Sequence, residues 1–209
     1  MQKREVLRNF VVIEGIDGSG TTTLLKQLGE RYRKKHTSSW LTCEPTDGEV
    51  GALIRRVLSG NIAVEPQALA HLFVADRYQH LYAREYGITD RLARGELVVC
   101  DRYLFSSLAY QSVECGFDFV DELNRAFPLP QFLIFLDVSV EVGERRASNR
   151  QTREIFENLS FQKKVVSLYE KALETYARSG VKIMRIDGAA SPEIVAEKVW
   201  SHVSGLPMV

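Results

Sequence analysis

Residues 10–25 read Phe-Val-Val-Ile-Glu-Gly-Ile-Asp-Gly-Ser-Gly-Thr-Thr-Thr-Leu-Leu. An apolar run enters three closely spaced glycines and leaves as an amphipathic segment with Leu24, Leu25 and Leu28 on one face. That order dictates a buried strand, a sharp turn and a helix, because glycine lets the backbone bend where other residues clash. The spacing follows the phosphate-loop pattern G-x-x-x-x-G-K-[ST] at Gly15, Gly20 and Thr22. In such a loop the backbone N–H groups and the helix N-terminus cradle an anion. Gly15, Gly18, Ser19, Gly20, Thr21, Thr22 and Thr23 are therefore candidate phosphate binders, with Thr22 placed to hold Mg²⁺. The lysine of the pattern is absent, and Thr21 stands in its place. The loop keeps its cradle and metal ligand and loses one point charge.

The rest of the chain repeats the strand–helix alternation. Apolar runs predict strands over 9–14, 39–43, 97–101, 132–137 and 181–186. Helical patterns cover 21–35, 50–59, 66–86, 103–115, 118–126, 139–149, 158–178 and 191–204. Strands such as that of residues 131–137 (Gln-Phe-Leu-Ile-Phe-Leu-Asp) are apolar throughout, as in a parallel sheet covered on both faces. Pro66 and Pro192 suit helix starts, and Gly95 and Gly180 suit helix stops. No repeat or linker interrupts the pattern, so residues 1–209 are expected to form one α/β domain with a five-stranded parallel sheet. Ligands then gather at the carboxyl ends of the strands.

Charge narrows the partners. Lys and Arg together number 27, equal to Asp and Glu, which argues against bulk attraction to nucleic acid or a membrane. The first residues are charged with no apolar core, so no signal peptide is expected, and no stretch approaches membrane-spanning length. Cys43, Cys100 and Cys115 are odd in number and lack metal-type spacing. Cys43 and Cys100 fall in apolar strand-like runs, where buried free thiols are the expectation, in a cytoplasmic and reducing setting.

Four further constellations stand out. Strand 97–101 runs into Asp101-Arg102-Tyr103, a carboxylate for Mg²⁺ or its waters and a guanidinium for phosphates. Within Leu72 to His80, Phe73 and Arg77 lie four apart on one helical face, a ring and a planar fork suited to a base. Residues 105–111 (Phe-Ser-Ser-Leu-Ala-Tyr-Gln) extend polar groups beside Asp101. Arg145, Arg146, Arg150 and Arg153 crowd a polar stretch that is either a solvated face or a segment closing over phosphates.

These pieces together resemble the thymidylate kinase family. The matching segments are Glu14 to Gly20, Glu44-Pro45-Thr46, Leu72 to His80, Asp101 to Gln111, and Leu136-Asp137-Val138, and the similarity runs from about Asn9 to Trp200. The resemblance implies a P-loop nucleoside monophosphate kinase fold with a short lid near 148–157. It implies transfer of the ATP γ-phosphoryl group to dTMP, with Mg²⁺, in dTTP synthesis, by a homodimer. By similarity Phe73 stacks on thymine, Arg77 bonds its edge, and Ser107 and Gln111 line the site. Tyr110 crowds a ribose 2′-hydroxyl, Glu44 and Pro45 flank the sugar, and Asp17 sits near its 3′-hydroxyl and the phosphates. Arg55 and Arg102 hold the acceptor phosphate, and Arg145 joins the ATP site. Gly18 at the loop position marks the type whose catalytic arginine lies in the lid.

The chain departs from the family twice. Thr21 replaces the loop lysine, and Ile155 occupies the usual lid arginine position, with Arg153 two residues earlier. Arg150 and Arg153 are the cations expected to replace the missing charge, with Lys26 a third candidate. Two alternatives follow: a kinase for another nucleoside monophosphate, or a nucleotide-binding protein with little catalysis.

Overall fold

The computed structural model describes residues 4–147 and 159–207. Five strands form one sheet: β1 (Val6–Gly15), β2 (Ser39–Cys43), β3 (Leu97–Asp101), β4 (Leu129–Asp137) and β5 (Lys182–Asp187), in the order β2-β3-β1-β4-β5 and all parallel. Successive strand residues face opposite sides. Phe10, Val12 and Leu133 join one core, while Val11, Ile13 and Ile134 join another. Both faces are covered, which is why the central strands β3 and β4 carry no polar alternation. Each of these fully buried side chains contributes about 1.5–3 kcal/mol of burial.

The larger core packs α2 (Glu49–Leu58), α3 (Pro66–Tyr82), α4 (Ile88–Ala93), α5 (Leu104–Tyr110), α6 (Ser112–Cys115), α7 (Phe117–Asn124), α8 (Val140–Ala147) and α9 (Leu159–Tyr176) on one side. The other side is covered by α1 (Thr21–Lys34) and α10 (Pro192–Val203). In register, Cys43 pairs with Asp101 and Asp101 with Ile13, so β1, β2 and β3 end at one level. The chain's connections diverge around β1 and β3, which opens a crevice at their carboxyl ends.

The expected elements are present, with differences at several boundaries. β1 begins at Val6, earlier than expected, and carries an irregularity at Asn9 (φ 59°), where its register with β4 shifts between Leu7 and Val11. The Asn9 N–H finds the Gln131 side-chain carbonyl at 2.7 Å. The helix expected over 66–86 stops at Tyr82 and a short helix follows from Ile88. Gly87 fits there against Leu81 O and Ala83, where a Cβ would lie 2.6 Å from that carbonyl. The helix expected over 103–115 divides after Tyr110. Gly95 (φ 79°) and Gly180 (φ 97°) occupy the left-handed conformation of a helix stop. Among the described residues no helix is long and apolar enough to cross a membrane.

Candidate active site

The loop after β1 turns through Gly18 (φ 77°) and Gly20 (φ 101°), and Gly20 caps α1. Position 18 has no room for a side chain, since a Cβ would sit 2.1 Å from Gly143 O on α8. Gly143 in turn lies close to Asp17 O, 2.6 Å from where its own Cβ would be. The loop and α8 therefore touch backbone to backbone. Thr21 is buried at the first turn of α1. Thr22 Oγ1 donates to Asp101 Oδ2 at 2.7 Å, tying the loop to the end of β3. The other oxygen, Asp101 Oδ1, is buried with no hydrogen-bond partner among the described residues. A buried carboxylate oxygen without a partner is costly, and hard oxygen donors suit Mg²⁺ and its waters. Thr22 and Asp101 thus offer the oxygen donors that Mg²⁺ takes. Among the described residues no group of three or more His, Cys, Asp or Glu could hold a metal, so phosphate oxygens and water would complete its shell.

Arg102 also takes a left-handed conformation (φ 69°), with its N–H bonded to Ile13 O at 2.8 Å. Its guanidinium reaches back over the loop to Asp17 Oδ1 at 2.6 Å and to Ser106 Oγ at 3.2 Å, above the Tyr110 ring. Asp17 receives Gln162 Nε2 on its second oxygen at 3.0 Å, and its N–H donates to the Tyr110 hydroxyl at 3.1 Å. Burial pushes the Tyr110 phenol up, so it stays protonated.

Behind the loop lies Glu14, a fully buried charge at the carboxyl end of β1's apolar run from Phe10 to Ile13. Oε1 accepts the N–H groups of Tyr103 (2.8 Å) and Ser106 (3.1 Å), while Oε2 accepts the hydroxyls of Ser106 (2.6 Å) and Tyr169 (2.9 Å). Burial raises its pKa to about 7, against the opposing pull of Ser106, Arg102, Tyr103 and Tyr169. Glu14 pins the start of α5 and the middle of α9 to the root of the phosphate loop.

The far wall of the crevice comes from β2 and α3. Phe73 and Arg77 face a cleft of about 230 Å³ that Asp17, Gly18, Thr21, Thr22, Glu44, Pro45, Arg55, Asp101, Arg102, Tyr110 and Gln111 also line. Arg77 is 1% exposed and its donors are heavily used. Nε and Nη2 reach Glu44 Oε2 at 2.9 and 2.7 Å, Nη1 reaches Asn124 Oδ1 at 2.5 Å, and Nη2 reaches Ser107 Oγ at 3.2 Å. Ser107 therefore sits behind Arg77. Arg55 is turned onto its own loop, donating to Pro45 O, Thr46 O and Asp47. Cys43 lines the cleft too, with burial and then nearby carboxylates raising its thiol pKa to about 11.

A second groove of about 410 Å³ lies across the loop, lined by Gly18, Ser19, Gly20, Thr23, Arg146 and the Gly188–Ala190 turn among others. Gly18 belongs to both walls. Arg145 is exposed and does not line this groove; Arg146 does, donating to Gly188 O (2.8 Å) and Ala189 O (3.3 Å). Gly15 lines neither cavity and packs against Ser19 and Leu136 O. Arg150, Arg153 and the rest of the expected lid, 148–157, fall outside the described residues. Sequence reading assigned no role of their own to Gln162 or His80, and placed Arg146 only within a run of arginines that could close over phosphates. Glu14 did carry a signal, as a charge at the end of an apolar run.

Known proteins give a consistent match. A family model described as thymidylate kinase matches residues 13–199. A putative thymidylate kinase of Treponema pallidum (strain Nichols) is 41% identical over 95% of this chain and 96% of that protein. One of Aeropyrum pernix is 41% identical over 86% of this chain and 85% of its own length. A probable thymidylate kinase of Pyrococcus abyssi is 38% identical over 93% and 95%.

Proposed function

The chain belongs to the thymidylate kinase family and phosphorylates dTMP to dTDP with ATP, and we propose that the two cavities flanking the phosphate loop divide the substrates between them. The observation that carries this reading is the shared wall. Gly18 separates a cleft bearing a ring and a guanidinium, Phe73 and Arg77, from a groove bearing the loop glycines and Arg146. dTMP enters the first, with its base against Phe73 and Arg77 and its phosphate toward Arg102 and Arg55. ATP enters the second, with its phosphates on the N–H groups of Ser19 to Thr23. The γ-phosphoryl group then has only the loop's edge to cross, and positioning supplies much of the rate.

Thr22 and Asp101 would hold Mg²⁺, which supplies charge neutralisation across the transferring phosphates. Arg102 is anchored by Asp17 and Ser106 close to the same edge, where it steadies the attacking phosphate. Tyr110 orders Asp17 and closes the sugar side. With Thr21 in place of lysine, Arg150 and Arg153 are the proposed source of charge at the γ-phosphate. Two wider readings fit this picture. The outer face of α3 and the turn after it expose Tyr78, Tyr82 and Tyr86, with the Tyr78 and Tyr82 rings in contact, an apolar surface suited to a second copy of this chain. Three unpaired cysteines suit the reducing cytoplasm.

A coupled ADP-release assay with dTMP, dUMP, dCMP and AMP tests the reading. dTMP should give the highest kcat/KM, and Arg77→Ala should raise its KM by the factor that about 1–3 kcal/mol represents. Equal kcat/KM for all four acceptors would leave a less specific monophosphate kinase.

A further inference from the structure

Glu44 is 4% exposed and bonds to a second residue of α3 besides Arg77. Its Oε2 takes Arg77, while its Oε1 takes Nδ1 of His80 at 3.0 Å. His80 follows Arg77 by three positions, so one helical face presents both donors to one carboxylate. The His80 ring is itself fixed on three sides. Nε2 lies 2.7 Å from Thr42 Oγ1 on β2, and the Trp40 ring packs edge-on at 5.5 Å. A neutral ring with its proton on Nδ1 satisfies both bonds, donating to Glu44 and accepting from Thr42. With Oε1 held by His80, the carboxylate has one orientation in which Oε2 can meet Arg77 Nε and Nη2 together. The direction of the guanidinium therefore depends on a residue that does not line the base cleft.

That direction matters for selection. A guanidinium carries donors only. Held still at a base edge, it satisfies a ring carbonyl and leaves an amino group facing another donor, which a polar site rejects strongly. A guanidinium free to swing aside would relieve that conflict. Resting on the reading that Arg77 faces the base, we propose that His80 is a positioning residue for acceptor specificity: through Glu44 it fixes Arg77, so the cleft takes pyrimidines with a carbonyl at position 4 and turns away those with an amino group.

The test compares kcat and KM for dTMP and dCMP in wild type, His80→Leu, His80→Asn, Arg77→Ala and the Leu/Ala double variant. His80→Leu should raise the dTMP KM about tenfold, the scale of a lost bond to a charged group, and leave the dTMP kcat within about twofold. It should also narrow the preference for dTMP over dCMP. His80→Asn, whose amide N–H stands where Nδ1–H does, should recover most of both. In the Arg77→Ala background His80→Leu should add nothing, a coupling that general loosening of the fold would not produce. Should His80→Leu fail to fold, His80→Gln carries the same comparison, since its longer amide reaches toward Thr42 and leaves Glu44. Wild-type KM and preference in His80→Leu, or its full effect persisting without Arg77, would overturn the proposal. An Arg77→Ala variant with unchanged dTMP KM would instead remove the reading beneath it.

Discussion

Replacing Glu14 by Gln should make the protein more stable at alkaline pH and change little at acidic pH. The carboxyl is fully buried, and burial moves its pKa from 4.5 to about 7. Below pH 4.5 it is protonated in the folded and unfolded chains alike, and its contribution is at its most favourable. As pH rises, the unfolded chain releases the proton first, so stability falls until the folded form also ionises near pH 7. The displacement corresponds to about 3 kcal/mol lost across that window. Gln is neutral throughout. Its carbonyl can still accept from the Tyr103 and Ser106 N–H groups, and its amide can donate to the Ser106 or Tyr169 hydroxyl, each of which accepts as well as donates. At pH 8 Glu14→Gln should therefore exceed wild type by about 3 kcal/mol, or roughly 6–12 °C in thermal midpoint for a chain of this size. Urea unfolding of both proteins between pH 4.5 and 8 gives the difference directly, and other titrating groups cancel in it. A difference that stays constant with pH, or shrinks as pH rises, would refute a buried carboxyl held near neutrality.

Other variants probe the phosphate loop. Asp101→Ala should lower activity about 10–100-fold and raise the Mg²⁺ concentration needed for half-maximal rate; an unchanged Mg²⁺ titration would separate Asp101 from the metal. Gly18→Ala places a methyl against Gly143 O in a left-handed conformation that alone costs about 1–2 kcal/mol. By pushing α8 away it should raise the ATP KM more than the dTMP KM, and equal changes would show that the loop's contact with α8 does not shape the ATP groove. Arg150→Ala or Arg153→Ala should lower kcat by about 10²-fold or more with dTMP KM nearly unchanged, and Thr21→Lys should return part of it. Wild-type kcat in both arginine variants would place the compensating charge elsewhere.

What could be read in the chain differed by the range of the interaction. The phosphate loop was legible because its chemistry is local: glycines, a hydroxyl and the flanking periodicity sit within sixteen residues. The Phe73–Arg77 face was legible for the same reason. The role of Glu44 was only half legible, since its carboxylate is held by Arg77 and His80, more than thirty positions away. The choice between Arg145 and Arg146 was closed to sequence, because neighbouring helical positions differ in direction and only the approach of the Gly188–Ala190 turn selects one. The break after Tyr82 was hidden too. Residues 83–86 carry no proline, and the helix ends where Ala83 takes an extended ψ of 127° and Glu85 a positive φ of 72°.

The account stands on phosphoryl transfer by a loop without its lysine. Wild-type protein incubated with ATP labelled at the γ-phosphate, dTMP and Mg²⁺, with nucleotides then separated, measures that directly. The expected result is label in dTDP at a rate that falls when Mg²⁺ is chelated, with dTMP consumed in step with ADP released. Nucleotide binding without labelled dTDP, or label reaching only inorganic phosphate, would contradict it.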